Sequence, residues 1–139
     1  MNKYLKESMD KISKVIGAPL DEFKGKTILI TGANGLIGGF LTDFFVYLNE
    51  ELNFNCKLVL TSLSSDPKRL EDVIHKKYIT YYSRDLTSDA WFFDKVDFCF
   101  YCAGYAQPGK FLADADKTYS LNVDAMRRVF DSVLSNNPT

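Results

Sequence analysis

Apolar and polar positions follow two rhythms along this chain. In residues 1–16, Tyr4, Leu5, Met9, Ile12, Val15 and Ile16 recur at spacings near three and four, with Lys, Asp and Glu between them. That spacing predicts an amphipathic helix with a peripheral packing role. Gly17 and Pro19 end it, and residues 20–26 link onward. From Thr27 the pattern changes to short apolar runs separated by helical ones. Thr27–Thr31 reads as a strand, and Leu36 to about Asn49 as a helix whose stripe is Leu36, Ile37, Phe40, Leu41, Phe44, Phe45 and Leu48. Lys57–Thr61 has the continuous apolar character of a strand inside a parallel sheet. Ser64-Ser65-Asp66-Pro67 predicts a helix start, with Asp66 or Ser65 as N-cap and Pro67 in the first turn, running to about His75. Tyr78–Tyr82 is a third strand, residues 88–95 a short helix carrying Trp91, Phe92 and Phe93, and Val96–Tyr101 a fourth strand. A loop with Gln107-Pro108-Gly109 leads to a last helix from about Ala115 to Leu134. Alternating strands and helices call for an α/β fold, a parallel sheet covered on both faces.

The junction of the first strand and its helix carries the strongest chemical signal. Gly32-Ala33-Asn34-Gly35-Leu36-Ile37-Gly38 follows a strand and opens a helix. Gly32 lets the chain turn sharply, Gly35 removes a side chain where backbone must approach phosphate, and Gly38 lets the helix pack closely on the strand. The helix N-terminus then offers N–H groups and partial positive charge to an anion. This predicts a pyrophosphate site for a dinucleotide on a Rossmann-type doubly wound sheet of about four strands. Residues 1–24 form an extra N-terminal helix and linker, and 25–139 the binding domain.

Composition narrows the partners. The 139 residues suit one domain with a real core, and 17 Lys and Arg against 18 Asp and Glu give a net charge of −1. That balance marks no nucleic-acid or membrane surface. Aromatic residues make up 14%, which argues for substantial buried or interface area. Three cysteines, Cys56, Cys99 and Cys102, give no disulfide framework, and the first 16 residues have no secretory h-region. A reducing, cytoplasmic location is expected.

Ile30 to Gly38 resembles the extended short-chain dehydrogenase/reductase family, more narrowly its NAD-dependent epimerase/dehydratase branch acting on nucleotide-sugars. Asp85-Leu86 after the third strand matches the position that contacts adenine in that family. Tyr101-Cys102-Ala103-Gly104 matches the loop along the cofactor, with Tyr where His is common, and Asn122-Val123 matches the central-helix Asn. The likeness covers nearly everything after about residue 24. The residues leave local alternatives. Asp85 either accepts from an exocyclic amine or caps the helix at 88–95. Cys102-Ala103-Gly104 either admits a flat ligand or makes a tight turn. Asn122 is either buried and bonded to the next loop or exposed.

The second strand ends in Leu60-Thr61-Ser62, without the acid that often holds the ribose 2′-hydroxyl of NAD. Lys68 or Arg69 would suit a 2′-phosphate and Asp66 a ribose, so NAD and NADP both stay open. The resemblance also implies a Tyr with Lys four places later as acid/base pair. None of the 8 Tyr has Lys there. The expectation is the NAD(P)-binding part of a longer nucleotide-sugar epimerase, dehydratase or decarboxylase, inactive alone, with a homodimer left open. A non-catalytic redox sensor or regulatory module is the alternative.

Other patterns carry less. Gly25-Lys26-Thr27 precedes a strand and lacks the earlier glycine of a P-loop, since position 20 is Leu. Cys99-x-x-Cys102 has redox spacing, but in a strand and turn. His75 and Cys56 do not complete a zinc site, and Asp114, Asp116 and Asp124 read as a solvated face.

Overall fold

A computed structural model describes residues 3–88, 94–105 and 108–136. Helix α1 spans Lys3–Ile16 and is followed by a 3-10 helix, Ala18–Phe23. Strand β1 is Thr27–Thr31, helix α2 Leu36–Leu52, β2 Lys57–Ser62, β3 Ile79–Ser83 and β4 Phe98–Tyr101. Helices α3 (Pro108–Ala113) and α4 (Ala115–Tyr119), a π-helical turn over Ser120–Ala125, and α5 (Met126–Ser135) complete the chain.

The four strands are parallel in the order β3-β2-β1-β4. The chain therefore adds β2 and β3 on one side of β1, then crosses to the other side for β4. That reversal creates a switch point between β1 and β4, whose following helices pack on opposite faces of the sheet, and ligands bind at such points. Alternate residues face opposite layers. Ile28, Ile30, Leu58 and Leu60 join the core under α2. Leu29 packs with Leu86, Val96, Ala125 and Val129 on the α5 side.

Helix α2 departs from its expected stripe at its start and in its middle. Phe44 through Leu48 are all buried, because α1 covers the outer side of α2 while the sheet covers the inner side. Met9 is fully buried in that contact, Tyr47 Oη donates to Asp10 Oδ1 at 3.3 Å, and Lys6 pairs with Glu51 at 2.7 Å. Of the α1 stripe, Leu5, Met9 and Ile12 pack, whereas Tyr4, Val15 and Ile16 are exposed. At the start of α2, Leu36 is 86% and Ile37 64% exposed. The helix runs on to Leu52 because Asn53 takes a left-handed conformation (φ 56°) and its N–H bonds Leu48 O.

Several boundaries are corrected. The linker at 20–26 is largely the 3-10 helix. The helix expected to reach His75 is a single 3-10 turn, Lys68–Leu70, with no side-chain cap. Ser64, not Ser65 or Asp66, makes the local turn, its Oγ accepting from Asp66 N. The third strand starts one residue later than expected, and the fourth at Phe98. Pro108 and Gly109 are helical, and the last helix is broken by the π turn. The helix expected at 88–95 falls largely on residues 89–93, which lie outside the described residues with Trp91, Phe92 and Phe93, as does Gln107. Among the described residues no helix is long and apolar enough to cross a membrane.

Candidate dinucleotide site

The glycine turn is built by backbone contact. Gly32 has φ +63°, and a Cβ there would lie 2.6 Å from Cys102 O and 2.8 Å from Ala103 N. Thr31 Oγ1 accepts from Cys102 N at 3.0 Å and Ala103 N at 3.2 Å, locking the loops after β1 and β4 together. Gly38 presses on the turn from the helix side, its missing Cβ 2.4 Å from Gly32 O. Gly35 is the N-cap of α2 with no side-chain cap bond. The first N–H groups of a seventeen-residue helix thus meet the turn without a side-chain competitor. Gly39 has a role that spacing did not indicate. The Arg69 side chain lies across it, with Cγ 3.0 Å from a built Cβ, and pairs with buried Asp43. Arg69 N also donates to Asn34 Oδ1 at 3.1 Å.

A cleft of about 340 Å³ opens at this edge of the sheet. Gly32, Asn34 and Gly35 form one wall, and Ser62 the rim at the end of β2. Asp85 and Leu86 line the part beyond β3, and Cys102, Ala103 and Gly104 the wall after β4. Nine of the expected residues thus meet in one place. Leu36 and Ile37 lie outside the lining at the exposed start of α2, and Gly38 lies behind the turn as a packing residue. Asn122 is exposed, one residue past the lining residue Leu121, with Oδ1 3.3 Å from a Cβ built on Gly104. Exposure therefore accounts for Asn122.

Asp85 does two things at once. Its Oδ1 accepts from Thr87 Oγ1 at 2.7 Å and Thr87 N at 2.8 Å, an Asx turn, and it still borders the cleft. Those two bonds, hydroxyl first, and the attraction of Lys117 hold the Asp85 carboxyl below its ordinary pKa. A carboxyl depressed by folding stabilises the fold above its unfolded pKa and loses that contribution as pH falls through the folded value. Thr87→Val removes the hydroxyl donor and keeps the N–H. The Asp85 pKa, followed by carboxyl NMR, then rises toward the ordinary value. An unchanged pKa would contradict this assignment.

Several site residues had no sequence signal. Leu63 and Ser64 extend the rim past Ser62, and Arg84, Thr87, Tyr105, Lys117 and Leu121 complete the lining. Arg128 donates to Leu86 O at 3.1 Å and Thr87 O at 2.8 Å, fastening α5 to the Asp85 loop. Tyr101, where the resemblance expects His, donates from Oη to Leu121 O at 2.6 Å and so supports the π turn. A π turn in a helix commonly sits at a functional site. Burial pushes the Cys99 thiol up to about 11 and the Cys102 thiol upward, which disfavours the thiolate form of both. Among the described residues no group of three or more His, Cys, Asp or Glu is arranged to hold a metal.

The cradle fits a dinucleotide on its own geometry. Gly32 and Gly38 let the loop after β4 and helix α2 close on the turn, the start of α2 beside it has no side-chain cap, and one oriented carboxylate lines the cleft. The family model described as NAD dependent epimerase/dehydratase matches residues 28–139. A solved structure, Pen from Bacillus thuringiensis, is similar over 82% of this chain at 19% identity and a TM-score of 0.63, which speaks for the fold. The chain spans 36% of that structure's length. No curated protein matches.

Proposed function

Since the chain belongs to the NAD dependent epimerase/dehydratase family, a family that binds NAD(P), we propose that it is the cofactor-binding part of a nucleotide-sugar epimerase, dehydratase or decarboxylase. The observation that carries this reading is the cleft at the β1/β4 switch point, walled by the glycine turn on one side and Asp85 on the other. When bound, NAD(P) supplies a hydride acceptor for a sugar carbon and returns the hydride. The protein's own residues do the binding. N–H groups after Gly32 and at the start of α2 take the pyrophosphate. Asp85 accepts from the exocyclic amine of adenine beside Leu86. Cys102, Ala103 and Gly104 let the flat cofactor pass close to backbone.

No Tyr in this chain has Lys four places later, so these residues bind and orient but do not move the proton that hydride transfer requires. Titrating the chain against NADH and NADPH, read by cofactor fluorescence, is expected to give saturable one-to-one binding with at least one of them. The same sample is expected to leave nucleotide-sugars unchanged. Failure of both cofactors to bind overturns the binding reading. Turnover by the chain alone overturns the assignment of catalysis to residues it does not have.

A further inference from the structure

We infer that Asn34-Gly35 in the glycine turn is a deamidation site and that the Asp43–Arg69 pair guards it, so that loss of the pair lets Asn34 become a carboxylate at the wall of the cleft. Asn34 is the one Asn of the chain followed by Gly. Glycine has no side chain to shield its amide nitrogen, and its backbone is the freest of any residue. In the reaction the Gly35 nitrogen attacks Asn34 Cγ. A bond forms between those two atoms and the Cγ–Nδ2 bond breaks. Nδ2 leaves as ammonia, taking the Gly35 amide proton. Water then opens the cyclic imide to aspartate or isoaspartate. The net change is one water consumed and one ammonia released.

The fold ties both reacting groups. Gly35 N–H donates to Gly32 O at 2.9 Å, which holds the proton that the attack must release. Arg69 N–H donates to Asn34 Oδ1 at 3.1 Å. Only the oxygen of the amide can accept from an N–H, so the orientation of the Asn34 side chain is settled. Turning Cγ onto the Gly35 nitrogen costs that bond. Arg69 is itself held from two sides. Leu70 beside it is fully buried in the core. The Arg69 guanidinium pairs with Asp43, whose side chain is 8% exposed, and the Arg69 side chain lies over Gly39. Removing one partner would leave a buried charge uncompensated, so the pair does not open readily. Asp43 stands on α2, whose first residues follow Gly35. Asn34, Arg69 and Asp43 thus bind the crossover after β2 to both the turn and its helix. Asn34 lines the cleft beside Gly32 and Gly35. A carboxylate there would take up the positive end of α2 and repel a phosphate. That effect on binding rests on the dinucleotide reading above, whereas the guarded reaction does not.

The test holds the full chain at neutral pH and follows amide-to-acid conversion residue by residue with tandem mass spectrometry. The samples are the native protein, Arg69→Ala and the isosteric Asp43→Asn, with native protein in urea as the unguarded reference. Thermal melting checks that each variant is folded. Asn34 in the folded native chain is expected to react at least about tenfold more slowly than in urea. Each variant should speed residue 34 at least about fivefold, the shift that loss of one hydrogen bond gives. Asn53 and Asn55, exposed after α2, should keep their native rates. Equal rates for Asn34 in folded and urea-treated native chain overturn the inference. So does an unchanged rate at residue 34 in both variants, or a rise shared equally by Asn53 and Asn55, which marks general loosening. The deamidated native chain, separated by its added negative charge, is then titrated with NADP+ and NAD+ by calorimetry. It is expected to bind at least about tenfold more weakly than the unmodified chain. Unchanged affinity overturns the effect on the cleft. Absence of binding by the unmodified chain overturns the dinucleotide reading and leaves the guarded reaction to the mass measurement, which decides it alone.

Discussion

Gly38→Ala is expected to lower the stability of the fold by about 2 kcal/mol and to weaken dinucleotide binding with it. Two effects compete. Ala is the better helix former, worth up to about 1 kcal/mol in a helix interior. Against this, the new Cβ would lie 2.4 Å from Gly32 O, 2.8 Å from Gly32 C and 2.9 Å from Ala33 Cα. All three are backbone atoms, so no rotamer change relieves the clash. Either α2 moves off the sheet or the turn opens, at a cost of about 3 kcal/mol. The clash wins, and it acts on the turn that faces the cleft. Gly109→Ala is the control, because a Cβ there meets nothing within 4 Å. Urea unfolding of the two variants separates the effects. Unchanged or raised stability for Gly38→Ala would sink the close-packing account.

Phe45→Ala carries the largest expected loss, about 4 kcal/mol. Phe45 is 2% exposed, and its ring lies 5.2 Å from Phe23, 5.7 Å from Phe100 and 6.2 Å from Phe44. These rings join α2, the 3-10 helix and β4 in one cluster. Truncation removes the transfer energy of the ring and leaves a cavity that three separate elements would have to close. A domain of this size has only about 5–15 kcal/mol in total, so the variant approaches the unfolding threshold. The urea midpoint is the readout, with Phe45→Leu as the milder partner. A loss below about 1 kcal/mol would mean that this cluster is not the core.

The first two strands and the glycine turn between Thr27 and Ser62 were readable from local pattern because the physics there is local. An apolar run must be a buried strand, and glycines at three-residue spacing must serve a turn. The crossover from β2 to β3 was not readable in the same way. Ser65, Asp66 and Pro67 look like a helix start, yet only Lys68–Leu70 turns. Burial of Leu70, with Val73 and Ile74 packed on the same core, decides that segment. The exposed Leu36 and Ile37 and the wholly buried Phe44–Leu48 share one cause. Which sides of α2 are covered depends on α1 and the sheet, and periodicity cannot report that. The π turn at Ser120–Ala125 is supported by Tyr101 from another element, and the Arg69–Asp43 pair joins residues that only the fold brings together. For the same reason the sequence suggested Lys68 and Arg69 beside the ribose, whereas Arg84 lines the cleft.

The central claim is that backbone N–H groups of the glycine turn hold a dinucleotide pyrophosphate. Backbone amide NMR of the chain, titrated with NADP+ and then NAD+, tests it most directly. The largest shifts are expected at Ala33 through Ile37, with further shifts at Leu86 and Ala103. Saturating shifts confined elsewhere, for example to the separate shallow groove lined by Asp10, Lys14, Leu20 and Phe54, or none at the glycine turn, would contradict the account.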